Sequence, residues 1–121
     1  MITLANIAQA THQEIFDQVT RRLLLQGVPS VDGAGKCRYR ADGMNCAAGC
    51  LMSDEEYTSA FEGYGWGQLR ELGLIPHEHF YVLVRVLRNL HDNRSPGIWK
   101  AGLAVVADEF GLATEVLDEF P

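Results

Sequence analysis

An Asp-Gly pair at positions 42 and 43 constrains the fold of this chain more than any other feature. Both residues tolerate the positive φ angles of a type I′ turn, so the pair predicts a two-residue β-hairpin loop. In that register Arg40 lies opposite Asn45, and side chains alternate between two faces. The apolar face holds Cys37, Tyr39, Ala41, Met44, Cys46 and Ala48, and the polar face holds Arg38, Arg40, Asn45 and Ala47. The apolar face is predicted to cover a core.

The rest of the chain has the spacing of amphipathic helices. Capping-box patterns begin at Thr11 and Ser53, and Pro96 suits the first position of a further helix. Helices are predicted over residues 11–26, 53–62, a brief turn at 69–72, 78–90 and 95–110. The expected fold is mainly α with a small β-hairpin, a single domain over residues 1–121. In it a compact bundle of four to five helices is covered by one two-stranded antiparallel hairpin.

The charge balance argues against nucleic acid as a partner. The chain has 10 Lys and Arg against 16 Asp and Glu, a net charge of −6. The strip formed by Lys36, Arg38 and Arg40 is too small for a phosphate-binding surface. Acidic residues concentrate in segments 53–62 and 108–121, where Glu55, Glu56, Glu115 and Asp118 are candidates for contacting a basic protein surface. A solvated acidic face is the alternative interpretation.

No stretch of the sequence has the pattern of a signal peptide or of a membrane span. The chain has three cysteines, an odd number that leaves at least one thiol free in any set of internal disulfides. These features predict a reduced, soluble, cytoplasmic protein without membrane association.

Three interpretations of the cysteines stay open. In the first, Cys37, Cys46 and Cys50 are small buried hydrophobic residues. They could also ligate zinc with His91 as the fourth ligand, or with His77 or His79 in its place, although the spacing matches no common zinc motif. In the third interpretation Cys50, just ahead of the helix expected at Ser53, is a nucleophile activated by the helix N-terminus.

Two further segments hold candidate binding residues. His91, Asp92 and Asn93 end a strongly apolar helix. They either form a helix terminus, with Asn93 left-handed, or join Arg38, Arg40 and the cysteines in a polar site. Tyr64 and Trp66 alternate with glycines and predict a binding loop near His77, His79 and Tyr81. In the alternative interpretation Trp66 anchors this loop to the core.

From about residue 14 to residue 112 the chain resembles a group of small bacteriophage and prophage proteins. Its members share a C-x-Y-R strand, a G-x-x-C-A-x-G-C-L segment, a D-E-x-Y helix start and a late H-D-N. The matching residues here are Cys37, Tyr39, Arg40, Gly43, Cys46, Gly49, Cys50, Asp54, Tyr57, His91, Asp92 and Asn93. The resemblance implies a phage origin rather than a mechanism.

These observations lead to one main functional hypothesis and several alternatives. The main one is a small, non-enzymatic binding protein that engages and modulates a protein of the host bacterium, a defence component among the candidates. It would use the acidic segments or the aromatic loop. The first alternative is a small-ligand or metal-binding domain centred on Arg38, Arg40, the cysteines and His91. An enzyme using Cys50 is the next. An apolar stripe on the last helix would also suit a homodimer.

Overall fold

The first capping box forms as predicted. In the computed structural model, which describes residues 1–75 and 80–121, helix α1 spans His12–Gln26. The Thr11 side chain accepts a hydrogen bond from the Glu14 amide, and the Glu14 carboxylate accepts one from the Thr11 amide. Gly27 ends the helix in the left-handed conformation, with φ of 69°, which a glycine adopts at little cost. Ile15, Phe16, Val19 and Leu23 form the buried face of α1.

Three more helices complete the bundle within the described residues. The short helix α2 spans Trp66–Glu71, α3 spans Tyr81–Asn93 and α4 spans Trp99–Phe110. The buried side of α3 is the predicted stripe of Leu83, Val84, Leu87 and Leu90, which faces Trp99, Leu103 and Val106 of α4 across the core. Helix α1 contacts both. The predicted start of the third long helix at residues 78 and 79 lies outside the described residues.

The mainly helical fold class with one small hairpin is confirmed. Across residues 1–75 and 80–121, no helix combines the length and the apolar character that crossing a membrane requires.

The hairpin has the predicted register but is much shorter than its alternation suggested. Strand β1 is Arg40–Ala41 and strand β2 is Met44–Asn45, and Arg40 pairs with Asn45. Asp42 and Gly43 have φ of 51° and 80°, as a type I′ turn requires. Beyond these strands the predicted faces are wrong, because Cys37 is exposed and Ala47 is buried. Cys37 pairs with Val31 in an isolated bridge, and the chain enters a 3-10 helix at Gly49–Leu51, so the two-residue alternation ends.

The helix predicted over residues 53–62 is wrong, although its capping hydrogen bonds are present. Ser53 and Glu56 exchange the expected bonds, but only a turn follows them. The carboxylate of Glu56 also accepts hydrogen bonds of 2.9 Å from the amides of Leu4 and Ala5. Thr58 is then extended and starts a short 3-10 helix at Ser59–Phe61. The Glu56 carboxylate therefore binds the N-terminal segment, and no helix continues from the capping box.

We expect Glu56→Ala to release the N-terminal segment. The substitution leaves the amides of Leu4, Ala5 and Ser53 without their acceptor, which should lower the free energy of unfolding by about 2 kcal/mol. Amide hydrogen exchange should accelerate at Leu4 and Ala5. Glu55→Ala, which removes the exposed neighbouring carboxylate, is the matched control. Equal exchange rates in the two variants would contradict this role.

Three glutamines of α1 tie distant parts of the chain to that helix. The side-chain NH2 group of each glutamine donates to the backbone carbonyl of one distant residue, and its side-chain oxygen accepts from the backbone N–H of the same residue. This is the pair of bonds that a neighbouring β-strand makes. Gln13 pairs in this way with Ala113, Gln18 with Ile2 and Gln26 with Asn45. Helix α1 therefore positions both chain ends and the hairpin, and a search for hydrophobic spacing does not detect these contacts.

Candidate functional site

A polar cleft of about 540 Å³ opens between the segment leading into β1, the loop at residues 62–65 and helix α3. We call it the hairpin cleft. Five of its ten lining residues are charged, namely Asp32, Lys36, Arg38, Glu62 and Arg88. Small-molecule pockets of this size are lined mainly by apolar side chains. The composition of the hairpin cleft therefore favours a charged or strongly polar ligand.

Glu62 fixes one wall of the cleft. Its side chain is 8% exposed and its Oε1 accepts a hydrogen bond of 2.9 Å from the Tyr39 amide. Its Oε2 accepts bonds from the Arg40 amide and, at 2.6 Å, from the Tyr57 hydroxyl. One carboxylate thus holds the backbone that carries Tyr39 and Arg38 into the cleft. Sequence reasoning missed Glu62, because no local pattern distinguishes it from the other acidic residues around it.

The two cleft arginines make only long ion pairs. Arg38 lies 3.3 Å from Glu62 and 3.5 Å from Asp32, and Arg88 lies 3.7 Å from Asp92. Tight charge-assisted hydrogen bonds are 2.7–2.9 Å long. The Nε atoms of both arginines are buried without a hydrogen-bond partner among the described residues. The Arg88 guanidinium also stacks over the Tyr39 ring, 4.9 Å from its centroid.

Tyr64 presents an open aromatic ring at the edge of the cleft. It is 44% exposed, and its carbonyl accepts a hydrogen bond of 2.8 Å from the Tyr39 hydroxyl, which fixes its backbone. The rings of the other three tyrosines, Tyr39, Tyr57 and Tyr81, lie under arginines. In the described part of the chain Tyr64 has no such arginine. Its ring is therefore available for contact with a partner.

The residues of the predicted aromatic loop lie in different environments in the structure. Trp66 begins α2 and is 2% exposed, so it anchors the loop to the core, as the alternative interpretation of the sequence held. Tyr81 lies half-buried under Arg70. His77 and His79 lie outside the described residues.

The hydrogen bonds of His91 select one tautomer of its ring. The ring is buried and stacks on Trp99, with centroids 5.4 Å apart. Its Nε2 accepts a hydrogen bond of 2.9 Å from the Ser30 amide, so Nδ1 carries the proton and donates to the Asp92 carboxylate at 2.7 Å. Burial alone would raise the pKa of Asp92, but the bond from His91 and the charge of Arg88 bring it below its usual value.

Cys37, His91 and Asp92 come together at the side of the cleft. One potential ligand atom from each lies within 4.8 Å of the others, whereas Cys46 and Cys50 do not belong to this group. Coordination of a metal through Nδ1 would move the proton of His91 to Nε2, where it would oppose the Ser30 amide. The zinc hypothesis therefore carries a specific requirement. Zinc binding must be accompanied by faster hydrogen exchange of the Ser30 amide, measured with and without a chelator.

Asn93 and Arg40 differ from their predicted roles. Asn93 is the last residue of α3 and has no positive φ, so the left-handed terminus predicted there is wrong. The residue that follows the helix, Arg94, has an extended backbone. Arg40 does not line the hairpin cleft. Its guanidinium contacts Asp54 at 2.5 Å, donates to the Met52 carbonyl and lies over the Tyr57 ring. The structure thus separates Arg40 from Arg38 and His91.

The thiols are poorly suited to nucleophilic chemistry. Burial raises the pKa of Cys46 to about 11 and also raises that of Cys50. Burial and the nearby Asp92 charge also raise the pKa of Cys37. The Cys50 thiol donates to the Ala47 carbonyl at 3.2 Å, and the helix expected to activate it is absent. A thiol with a raised pKa is almost entirely protonated near neutral pH.

We therefore expect slow alkylation of Cys46 and Cys50 by iodoacetamide at pH 7. Because the thiolate is the reacting form, the rates should rise about tenfold for each pH unit up to the thiol pKa, as long as the chain stays folded. Cys37, which is exposed, should react first. Peptide mapping after timed alkylation gives the three rates separately. Selective modification of Cys50 at pH 7 would instead support the nucleophile hypothesis.

The acidic candidates are not equivalent. Glu56 is committed to the Leu4, Ala5 and Ser53 amides, whereas Glu55 is exposed. Glu115 and Asp118 are exposed on the short 3-10 helix Glu115–Glu119.

A second groove, of about 490 Å³, lies between α3 and α4 and includes Val86 and Val105. The apolar stripe of the last helix, on which the homodimer was predicted, is buried at Trp99, Leu103 and Val106, and the homodimer itself stays a prediction.

No protein-family model, curated protein or solved structure matches the chain significantly. The functional argument therefore depends on the geometry of the hairpin cleft and on the sequence.

Proposed function

We propose that this chain is a small, non-enzymatic binding protein that recognises another protein through the hairpin cleft. The observation that carries the proposal is the open Tyr64 ring beside a cleft whose partly exposed arginines make long ion pairs of 3.3–3.7 Å. Exposed tyrosines and arginines are enriched at protein interfaces, where they supply contact area and directed hydrogen bonds. The raised pKa values of the thiols favour binding over thiol catalysis.

The resemblance to phage and prophage proteins favours a protein of the host bacterium as the partner. Binding would inhibit or modulate that protein, and a defence component is one candidate. The acidic version of the hypothesis uses Glu115 and Asp118, which are exposed. It has less support at residues 53–62, because Glu56 and Glu62 serve the fold of the chain itself.

Capture from a bacterial lysate by the immobilised full chain tests the proposal when two variants are compared with the native chain. Tyr64→Ala should reduce the retained partner at least tenfold, because it removes the exposed ring without touching the core. The double variant Glu115→Lys, Asp118→Lys should retain it. Leu72→Ala, which removes another exposed apolar side chain, is the matched control.

If the charge-reversed variant loses the partner and Tyr64→Ala retains it fully, the binding site is the acidic surface and not the hairpin cleft. The proposal fails outright if no protein is retained in stoichiometric amount by the native chain. Circular dichroism of each variant verifies that the comparison is made between folded proteins.

A further inference from the structure

We infer that the hairpin cleft binds the carboxylate side chains of an acidic segment in the partner protein. This inference depends on the proposed function and adds the chemistry of the partner. Three cations and two carboxylates line the cleft, and a third carboxylate, Asp92, lies 3.7 Å from Arg88, so the site is locally close to neutral in a chain whose net charge is −6. The cations are Lys36, Arg38 and Arg88.

The carboxylates that line the cleft already accept short hydrogen bonds from other donors. Asp32 accepts hydrogen bonds from the amides of Ala34 and Lys36, at 2.9 and 3.0 Å. Glu62 accepts from two backbone amides and from the Tyr57 hydroxyl. Glu62 therefore does not depend on Arg38 for its hydrogen bonds. The amides occupy only Oδ1 of Asp32, and Arg38 donates to its Oδ2 at a long 3.5 Å. Arg38 approaches both carboxylates only at 3.3 Å and beyond.

The same holds for Arg88 on the other side of the cleft. Asp92 accepts its short bond of 2.7 Å from His91 and lies 3.7 Å from Arg88. Arg88 retains 22% of its side-chain exposure and Arg38 retains 35%. The cleft thus has arginine donors in excess of the acceptors that surround them.

The carboxylates of an acidic segment would supply acceptors for the guanidinium donors of Arg38 and Arg88. A guanidinium is a planar fork of donors that matches a carboxylate in bidentate geometry. Tyr64, at the edge of the same cleft, would pack against the apolar part of the segment. Because the rest of the chain is acidic, long-range charge opposes such a ligand, and binding would depend on the local donors.

Amide NMR titration of the full chain with a short oligoglutamate peptide tests this inference. We expect saturable shifts at residues 36–39, 62–65 and 88. Arg38→Gln and Arg88→Gln should each weaken binding about tenfold, which corresponds to about 1.4 kcal/mol. Arg85→Gln is the matched control, because Arg85 lies on the same helix and is exposed but does not line the cleft. Lys36→Gln provides a third cleft variant should Arg88→Gln disturb the stacking on Tyr39.

Three results would overturn the inference. These are shifts that do not saturate or that lie outside the cleft, equal binding of an oligoglutamine peptide of the same length, and equal weakening by Arg85→Gln. Saturable binding of inorganic phosphate without binding of oligoglutamate would also reject the carboxylate assignment. If the peptide does not bind but Tyr64→Ala still abolishes partner capture, the inference fails while the proposed function stands.

Discussion

Replacing Gly49 with alanine is expected to destabilise the chain by at least about 3 kcal/mol. A Cβ at this position would lie 2.9 Å from the carbonyl carbon of Tyr39 and would overlap the carbonyl oxygen. The obstacle is backbone, so it cannot move aside as a side-chain end can. Tyr39 is held in place because its carbonyl accepts from the Cys46 amide and its own amide donates to Glu62. Gly49 has no positive φ, so the effect is purely steric.

Urea denaturation of Gly49→Ala and Gly33→Ala measures this effect. A Cβ added at Gly33 would meet no atom within 4 Å in the described part of the chain, and Gly33 has no positive φ. Its substitution should change the free energy of unfolding by less than about 0.5 kcal/mol. Similar stability of the two variants would show that the Tyr39 and Gly49 backbones do not meet as described.

Glu62→Ala should cost about 2–4 kcal/mol and disorder the wall of the hairpin cleft. The substitution leaves the Tyr39 and Arg40 amides and the Tyr57 hydroxyl without their common acceptor. An unsatisfied, partly buried donor costs about 1–3 kcal/mol. Hydrogen exchange at the Tyr39 and Arg40 amides should accelerate together with the loss of stability.

Glu62→Gln and Glu71→Ala complete this experiment. The glutamine keeps one acceptor oxygen, so its cost should lie between those of the native chain and of the alanine variant. Glu71 is an exposed acidic residue in α2 and serves as the control for loss of charge alone. If Glu62→Ala is no more harmful than Glu71→Ala, the carboxylate does not hold strand β1.

The features that could be predicted from the sequence are those that depend on hydrogen bonds and backbone angles of neighbouring residues. The Asp42-Gly43 turn and the Thr11 capping box depend on neighbouring residues, and both form as expected. The capping box at Ser53 shows the limit of such patterns. Its two bonds form, but Glu56 also binds the N-terminal segment, more than fifty residues away, and no helix follows.

The hairpin cleft illustrates what could not be predicted. Its walls come from residues 32–39, 62–65 and 88, which no local period relates to each other. The sequence singled out Tyr64 and Arg38 separately but gave no sign of Glu62 or Arg88. It also placed Arg40 beside Arg38 in one site, whereas the short strand turns Arg40 towards Asp54 and Tyr57.

Photocrosslinking in bacterial cells that express the chain tests the central claim most directly. Tyr64, Val105 and Asp118 would each be replaced in turn by a benzoyl-phenylalanine, which places the same reactive group in the cleft, on the α4 groove and on the acidic surface. The proposed function predicts a covalent adduct with one host protein from position 64 and none from the other two positions. Adducts from position 105 or 118, with none from position 64, would contradict it.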